Sequence, residues 1–563
     1  MIFYGPRAHR AVGRQVTFGP SAILILLSSL NLWPGQDLSA ASAPSQAETA
    51  DLRLSDYLRD VLEHNEHLQA QMLDAEANRR KARGEYGAFE PQLTGSILRE
   101  ANKRTNNVQQ AAQQSGEFFF SERNTIVDSG IQALVPTGAK IRLGYTLSDL
   151  NNNVNPFGSL LNQTNNHFTR QYQTFVGLTL TQPLLKNGGT GIALANLRLA
   201  ALDSDIAFQE YRRQLMLTLS QAESAYWNLY YAQEQLSFFR ESISVAESVL
   251  NDSQEKLKAG QAAELEVLEA QSGLALRSTK QNEALQSYFD AMSQVREFSG
   301  ASPTEPGRAL RALDAPAATN AVPTYAGRFQ QTFELNPDYL LQEAKVAQEK
   351  LRLDVARNQL LPELNLRAAY GYNGLGRSPG ESWDLVERQS FPSWSVGAEL
   401  TVPLGGNIKG RNQFAAAKLS HQEAIINLNH IQTQIGNALN ASVQKAQSWQ
   451  ESIRSYATVV HFNEDLLKTQ RERLKVGKIE PRKVLEVEAD LLDSRQSLAQ
   501  ALVQFQRSLL QIQMIGGALL RDHGLELTRE QLRQKTLALL RTDSLPKGVY
   551  SPVLNMQPYG EAK

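Results

Sequence analysis

His64 and His67, with Glu63 and Glu66 beside them, are the side chains whose types and spacing could suggest a metal site. Imidazole and carboxylate groups are common metal ligands. The four residues, however, flank a predicted helix cap at Asn65 in a polar stretch, where charged side chains are usually solvated. We therefore expect no metal site here.

No motif of an enzyme is present in the sequence. The 563 residues include no cysteine, which excludes disulfides, thiolate metal sites and a catalytic cysteine. There is no nucleophile elbow, P-loop, metal-binding helix motif or glycine-rich loop between a strand and a helix. Lysine and arginine total 57 against 58 acidic residues, so the formal charge of -1 does not favour nucleic acid as a partner. We predict that the chain is not an enzyme and has no catalytic residues, bound metal or cofactor.

Residues 1–43 have the composition of a secretory signal peptide. Arginines supply positive charge, residues 22–27 are apolar, and small residues follow at 38–43. The alternative is a single membrane anchor, but the apolar run is well short of the ~20 residues that a spanning helix needs. No later segment is long and apolar enough to span as a helix, so a membrane crossing would require a closed β-barrel.

Two stretches with the same pattern indicate turns between long helices. In the second stretch, Gly477 fits the residue after a helix end, and Pro481 fits the first turn of the next helix. In the first stretch, Gly260 stands 217 positions earlier, and neighbouring residues recur at the same distance. The recurring pairs are Leu257 and Leu474, Val267 and Val484, Leu268 and Leu485, and Glu269 and Glu486. The chain is therefore predicted to be a tandem duplication.

The duplication predicts the domain organisation. The first repeat covers residues 51–300 and the second covers 325–520. A linker rich in proline and alanine, at 301–324, separates them. The tail at 521–563 contains one short helical segment and is otherwise expected to be disordered.

Each repeat begins with a short helix and a cap, followed by a helix that a proline stops. The distance from Asn65 to Pro91 equals that from Asn336 to Pro362, which is 26 positions. Asparagine is a favoured cap residue, and proline cannot continue a helix. The equal spacing supports the duplication.

After each proline stop, the hydrophobic period changes to two, which predicts strands at about 92–182 and about 363–402. Such segments suit a barrel wall with lipid outside and water inside, although an ordinary half-buried sheet has the same alternation. The first repeat is longer here by 51 residues and contains another hairpin candidate at about 125–148. The pattern does not decide whether this hairpin enlarges a barrel or caps it.

The longest helical patterns run over about 190–258 and about 411–475, and a third helix follows each at about 262–299 and about 481–515. Apolar residues recur every seven positions, which is typical of a left-handed coiled coil. Each long helix would span ~100 Å, and the two other helices of a repeat would together span ~90 Å. Two short helices stacked end to end therefore match one long helix. A unit this thin cannot bury its apolar face alone and should assemble.

A duplicated unit of helix, Leu-Pro stop, strand pair, long helix, glycine turn and helix resembles the TolC-type outer-membrane efflux protein family. The resemblance extends from about Leu54 to Gly517. Its most specific parts are Asn336-Pro337, Leu361-Pro362-Glu363-Leu364, Leu400-Thr401-Val402-Pro403-Leu404, and the Val476-Gly477 turn followed by Val484-Leu485. Their order and matched spacing, found twice, make the resemblance specific.

The resemblance implies a mixed, mainly α fold in which a long coiled-coil α-helical barrel continues a transmembrane β-barrel. Three chains, each giving two strands per repeat, would close twelve strands in the lipid of a Gram-negative outer membrane, with the helices in the periplasm. The glycine turns would meet a periplasmic membrane-fusion (adaptor) protein that joins an inner-membrane transporter. The implied docking tips are Ala259, Gly260, Gln261, Val476, Gly477 and Lys478.

The resemblance also implies a periplasmic gate, because the family narrows its tunnel with acids six and nine residues after the second glycine. Here these positions are Lys483 and Glu486, so only Glu486 could form a ring of like charge that holds cations. The matching positions of the first repeat are Glu266 and Glu269. We hypothesise a latch that pairs Arg482 or Lys483 with Glu266.

Two functions fit the sequence. The first is the channel-tunnel of a tripartite efflux or type I secretion system, a passive conduit for substrates that an inner-membrane pump delivers. The second is a secreted coiled-coil structural or adhesive protein without a pore. The duplication and the two-faced strands favour the first function, and the residues do not identify the cargo.

Overall fold

The computed structural model describes residues 50–109, 119–153, 169–300, 308–318 and 321–541. The predicted signal peptide and the end of the predicted tail lie outside these residues. The described part consists mainly of helices, with one large sheet and one small one.

Two helices are far longer than the others. In chain order the helices are α1 (Leu54–His64), α2 (Glu66–Gly84), α3 (Thr190–Ala193), α4 (Ala195–Lys258), α5 (Glu264–Phe298), α6 (Tyr325–Leu335), α7 (Pro337–Asn358), α8 (Pro379–Glu387), α9 (Ile408–Lys475), α10 (Pro481–Ile515), α11 (Leu519–Asp522) and α12 (Arg529–Arg541). The 64 residues of α4 and the 68 of α9 make each about 100 Å long. The first predicted long helix is divided at Leu194, whose ψ of 6° is not helical. Within the described ranges, none of the helices has the length and apolar character that crossing a membrane would require.

Asn65 joins the C-terminus of α5 to the N-terminus of α2. Its side chain accepts a hydrogen bond from the N–H of Leu68 at 3.0 Å, which caps α2. The same side chain donates to the carbonyl of Phe298 at 3.1 Å, where α5 ends. One residue thus satisfies unpaired backbone groups of both helices.

Asn336 makes the same joint between α10 and α7. It accepts from the N–H of Tyr339 at 3.1 Å and donates to the carbonyl of Ile515 at 2.8 Å. Gly517 has a φ of +69°, and a Cβ at this position would collide with the backbone of Leu335. The short helices of each predicted repeat therefore meet end to end, as their lengths predicted.

The segment predicted as a linker is anchored to the N-terminal part of the chain. Strand β6 (Leu310–Ala312) pairs in parallel with β1 (Ala50–Leu52). Beyond it, Asp314 accepts hydrogen bonds from the N–H of Leu54 at 2.7 Å and from the hydroxyl of Tyr226 at 2.8 Å. The middle of the linker therefore holds α1 against α4.

The largest buried cluster lies where α1, α2 and α4 pack together, around Tyr57 and Tyr226. The first part of the predicted tail belongs to this cluster, because Leu532 is buried in it and Leu525 and Leu527 pack against it. The short helix predicted in the tail is α12. The disorder predicted after it lies outside the described residues.

The large sheet has six strands. They are β2 (Gln92–Thr105), β3 (Phe119–Leu134), β4 (Lys140–Asn152), β5 (Thr169–Pro183), β7 (Glu363–Gly376) and β8 (Pro392–Thr401). They lie in that order, each antiparallel to the next. The first predicted repeat therefore contributes four strands and the second two, which corrects the expectation of two strands per repeat. The hairpin candidate at about 125–148 belongs to β3 and β4, which match their neighbours in length and alternation and so pair with β2 and β5.

The register places large apolar side chains on one face of the sheet. A single row of cross-strand partners crosses all six strands, and its exposed fractions range from 48% to 83%. The row consists of Leu93, Ile131, Leu143, Leu178, Tyr370 and Trp394. The neighbouring row, on the opposite face, consists of Gln92, Gln132, Arg142, Thr179, Ala369 and Ser395. One face of the sheet is therefore apolar and exposed along this row, and helix α8 packs on the same face further along the strands, where Trp383 contacts Tyr145. The other face is mainly polar.

Replacing Asn336 with alanine should loosen the joint between α7 and α10. The substitution leaves the N–H of Tyr339 and the carbonyl of Ile515 without partners, which costs about 1–2 kcal/mol. Asn336→Asp keeps the acceptor and loses the donor, so its loss should be smaller. Hydrogen exchange at the first amides of α7 measures both. Asn429→Ala, an exposed position on α9, is the control and should change exchange there very little.

Candidate functional site

The first glycine turn ends α4 with a defined hydrogen-bond pattern. Gly260 has a φ of +70°. The N–H of Gln261 donates to the carbonyl of Lys256 at 2.8 Å, and the N–H of Gly260 donates to the carbonyl of Leu257 at 3.0 Å. These two bonds form a Schellman motif, which satisfies carbonyls that the helix end leaves unpaired.

The second glycine turn ends α9 in the same way. Gly477 has a φ of +71°, and the N–H of Lys478 donates to the carbonyl of Arg473 at 2.9 Å. The N–H of Gly477 donates to the carbonyl of Leu474 at 3.0 Å. A Cβ on either glycine would meet no atom within 4 Å, so the left-handed dihedral, and not lack of space, favours glycine at both turns.

The six predicted docking residues form these two turns, with Ala259 and Val476 as the last residues before the glycines. The two tips contact each other, because Nζ of Lys256 donates to the carbonyl of Leu474 at 2.8 Å. Val476 is 66% exposed. The tips therefore form one paired surface, in which Val476 is exposed to solvent.

The predicted gate residue Glu486 is paired with two bases on its own helix. Its carboxylate accepts from Nε of Arg482 and from Nζ of Lys483, each at 3.1 Å. These hydrogen bonds, that of Lys483 foremost, lower the pKa of the Glu486 carboxyl below its ordinary value. Glu486 is therefore ionised at neutral pH. The two bases leave this cluster with a net charge of +1 per chain.

Glu266 and Glu269 lie in the first two turns of α5, on the other tip. In the described part of the chain, no ion pair joins Glu266 to Arg482 or Lys483, and both bases pair with Glu486. The structure therefore does not bring the residues of the hypothesised latch together within one chain.

A buried ion pair that no sequence pattern indicated connects the two helical hairpins near the tips. Arg277 on α5 and Glu488 on α10 are each more than nine-tenths buried. Nε and Nη2 of Arg277 donate to Oε2 of Glu488, Nε at 2.8 Å. The guanidinium also donates to the hydroxyl of Ser242 at 3.1 Å and to the carbonyl of Leu485 at 2.9 Å. Three helices, α4, α5 and α10, are thus joined at one side chain.

Gly273 permits this close approach. A Cβ at this position would lie 2.8 Å from Cδ1 of Leu485, so a larger residue would require the Leu485 side chain to move. Nη1 of Arg277 donates to the carbonyl of Gly273 at 3.1 Å, one helical turn earlier. A glycine one turn before an arginine, inside an otherwise regular helix, is the sequence signal that could have located the junction.

Arg495 makes a second bridge between the hairpins. It donates to Oε2 of Glu241 on α4 at 2.8 Å and to Oε1 of Glu464 on α9 at 2.7 Å. Its side chain is partly exposed, so solvent screens these pairs more than the Arg277–Glu488 pair. We name Arg277, Glu488 and Arg495 together the hairpin junction.

The histidines considered as metal ligands are not gathered with others. Across the described residues, no three His, Asp or Glu side chains are arranged to hold a metal ion. His64 Nδ1 lies 2.8 Å from Oδ1 of Asp60, one turn earlier on the same helix. This contact is exposed and local.

Sequence comparison identifies related proteins. The chain matches the family described as Outer membrane efflux protein over residues 140–301 and 329–518, which is more than half of its length. It is similar to the alkaline protease secretion protein AprF of Pseudomonas aeruginosa. The two are 24% identical over 353 residues, which cover 60% of this chain and 67% of AprF.

Solved structures share the fold. The outer membrane channel CmeC of Campylobacter jejuni matches with a TM-score of 0.58 and 14% identity, over 86% of this chain and 89% of CmeC. The outer-membrane channel OprN matches with a TM-score of 0.59 and 17% identity, over 83% of this chain and 90% of OprN. At these identities the likeness shows the fold.

Removing one partner of the buried ion pair should destabilise the hairpin junction. Arg277→Met or Glu488→Leu leaves the other charge buried without its partner, at a cost of about 3–5 kcal/mol. The double variant Arg277→Met, Glu488→Leu removes both charges and should recover most of this loss. Hydrogen exchange in the first turns of α10 reports the change. Arg495→Met, at a more exposed pair, is the control and should cost about 1 kcal/mol or less. A double variant as unstable as the sum of the single variants would contradict this account.

Proposed function

The chain belongs to the outer membrane efflux protein family, and from this membership we propose that it forms a trimeric channel in the outer membrane of a Gram-negative cell. The family is one of channels and not of enzymes. In our proposal the channel is a passive conduit for substrates that an inner-membrane transporter delivers through a periplasmic adaptor protein. The name of AprF, a protease secretion protein, supports secretion as well as efflux as the process served.

The two-sided sheet is the observation that carries the proposal. Its apolar face exposes a row of large side chains across all six strands, while its polar face holds ion pairs such as Arg367 with Glu399, at 2.5 Å. In a barrel wall, the first face contacts lipid and the second contacts water. Both outer strands, β2 and β8, have an unpaired edge among the described residues. Further copies of the sheet would pair with these edges.

The helices support assembly in the same way. Large apolar side chains are exposed along α5 and α9, at 51–67% of their surface. They are Leu265, Leu268, Leu276, Phe289, Leu419, Ile426 and Phe462. Monomeric soluble proteins rarely expose so many large apolar residues along two helices. In our proposal, neighbouring chains cover them and the long helices form the periplasmic tunnel.

The paired tips are the proposed docking surface for the adaptor. The turns at Gly260 and Gly477 have the same backbone geometry, so three chains would present six equivalent turns. The residues involved are Ala259, Gly260, Gln261, Val476, Gly477 and Lys478. A partner with repeated helical hairpins could engage all six turns in one way.

Extraction and conductance test the channel. We expect the detergent-extracted protein to cross-link as a trimer and to give single-channel currents in planar bilayers. A well-folded monomer in detergent-free buffer, without conductance, would contradict the proposal. That result would favour the secreted coiled-coil protein without a pore.

The gate hypothesis predicts a charge-specific change in conductance. Glu486→Gln removes the negative member of the cluster and raises its net charge from +1 to +2 per chain. If the cluster lines the narrow end of the tunnel, cation permeation and block by divalent cations should both fall. Glu472→Gln is the control, because this substitution removes one negative charge from the same tip. Glu472 pairs with Lys475 at 3.0 Å. Equal currents in the two variants would remove Glu486 from the gate.

A further inference from the structure

The hairpin β3–β4 is an integral part of the large sheet. β3 pairs with β2 from Gln92↔Gln132 to Thr105↔Phe119, along the whole of β2. β4 pairs with β5 from Lys140↔Thr181 to Asn152↔Thr169. A hairpin that capped or plugged a barrel would leave β2 and β5 to pair with each other. Here the hairpin separates them.

The two faces of the sheet continue through the hairpin. On the apolar face, Ile131 of β3 and Leu143 of β4 lie between Leu93 and Leu178 of the flanking strands. On the polar face, Asp128 of β3 binds Arg142 of β4 and accepts from the Thr146 hydroxyl at 2.8 Å. The hairpin therefore has the same lipid-compatible and water-compatible sides as its neighbours.

A row of glycines crosses the hairpin and its neighbours. Gly130, Gly144, Gly177 and Gly371 are successive cross-strand partners on the polar face of β3, β4, β5 and β7. A Cβ at Gly371 would lie 2.5 Å from the carbonyl oxygen of Val176, and one at Gly130 would lie 2.7 Å from that of Leu143. Only glycine fits such close approach on this face. Glycine kinks are a known means of curving sheets into barrels.

The turn of the hairpin packs against the base of β5. The hydroxyl of Thr137 donates to Oε1 of Gln182 at 3.1 Å, and Nε2 of Gln182 donates to the carbonyl of Thr137 at 3.2 Å. Gly138 has a φ of +88°, and a Cβ on it would lie 2.9 Å from the carbonyl oxygen of Asn187. The hairpin therefore turns where β5 ends and the chain continues toward the long helix.

Copies of the six-stranded sheet can also pair edge to edge into a closed barrel. Alternating directions make β8 of one copy antiparallel to β2 of the next, and the apolar faces match, with Val396 and Leu400 on β8 and Leu93 and Ile97 on β2. All-antiparallel closure requires an even number of strands, which any number of six-stranded copies satisfies. We propose that three copies close an eighteen-stranded barrel in which the β3–β4 hairpin of each chain is part of the wall. This inference rests on the proposed trimeric channel.

The enlarged barrel sets the class of cargo that can leave. Barrel diameter grows roughly in proportion to strand number, so eighteen strands give about 1.5 times the diameter and about twice the cross-section of twelve. Barrels of this size enclose a water-filled channel when side chains alone do not fill them. The outer-membrane opening would therefore pass bulky, hydrated cargo that a twelve-stranded opening would hinder, and the narrowest point would lie in the helical part.

Cysteine labelling tests whether the hairpin is part of the wall. The chain has no cysteine, so single variants give unambiguous signals. On β4, Leu143→Cys lies on the apolar face, directly across from Leu178, and Ser148→Cys lies on the polar face. The matched pair on β5 is Leu178→Cys and Thr179→Cys. In proteoliposomes, we expect a water-soluble maleimide to label each polar-face cysteine at least tenfold faster than its apolar-face neighbour, on β4 as on β5.

The labelling pattern separates failure of the inference from failure of the proposed function. Equal labelling of the two β4 cysteines, with alternation kept on β5, would overturn the eighteen-stranded barrel and leave the channel. Loss of alternation on β5 as well would overturn both. Electron cryomicroscopy of the trimer in lipid nanodiscs then counts the strands directly. Eighteen strands in cross-section support the inference, and twelve with the hairpins outside the wall contradict it.

Discussion

In the part of the chain that the structure describes, the backbone of the large sheet has two open edges, and in lipid every backbone N–H and C=O group must find a hydrogen-bond partner. Strands β2 and β8 carry these edges, and the apolar side chains beside them favour lipid over water. A membrane-embedded sheet of this kind cannot persist as a single copy. In the proposed assembly, closure of the edges decides how many chains come together, and it places the long helices of the three chains around one axis.

The helices extend about 100 Å from the sheet, because the short helices of each half are stacked end to end beside a long one. Asn65 and Asn336 connect short helices end to end, so that two pieces act as one rod beside α4 or α9. Near the far end, the Arg277–Glu488 pair joins the hairpins of the two halves in a buried site. Separation of the two hairpins at this site would break the ion pair. The junction therefore fixes how the two hairpins pack against each other, independently of the charges at Glu486.

Local chemistry explains how much of this could be predicted. Gly477 and Pro481 mark helix ends through their backbone preferences, so the predicted α10 agrees with the structure to the residue. The strands followed from their period of two. The place of the hairpin did not, because strand order depends on pairing between distant segments. Arg277 and Glu488 lie 211 positions apart. The only unusual residue near either of them in the sequence is Gly273, one helical turn before Arg277. Helix α8 lies between β7 and β8 and was not predicted, because its nine residues are too few for a clear helical period in hydrophobicity.

The parallel pairing of β1 with β6 affects how the chain reaches its native state. Asp314 holds the N–H of Leu54 across 260 positions, so the first helix cannot be fixed until more than half of the chain is available. Contacts between such distant segments slow folding, and exposed strand edges promote aggregation in the meantime. Before residue 314 is available, α1 therefore lacks the hydrogen bonds through Asp314 that hold it against α4.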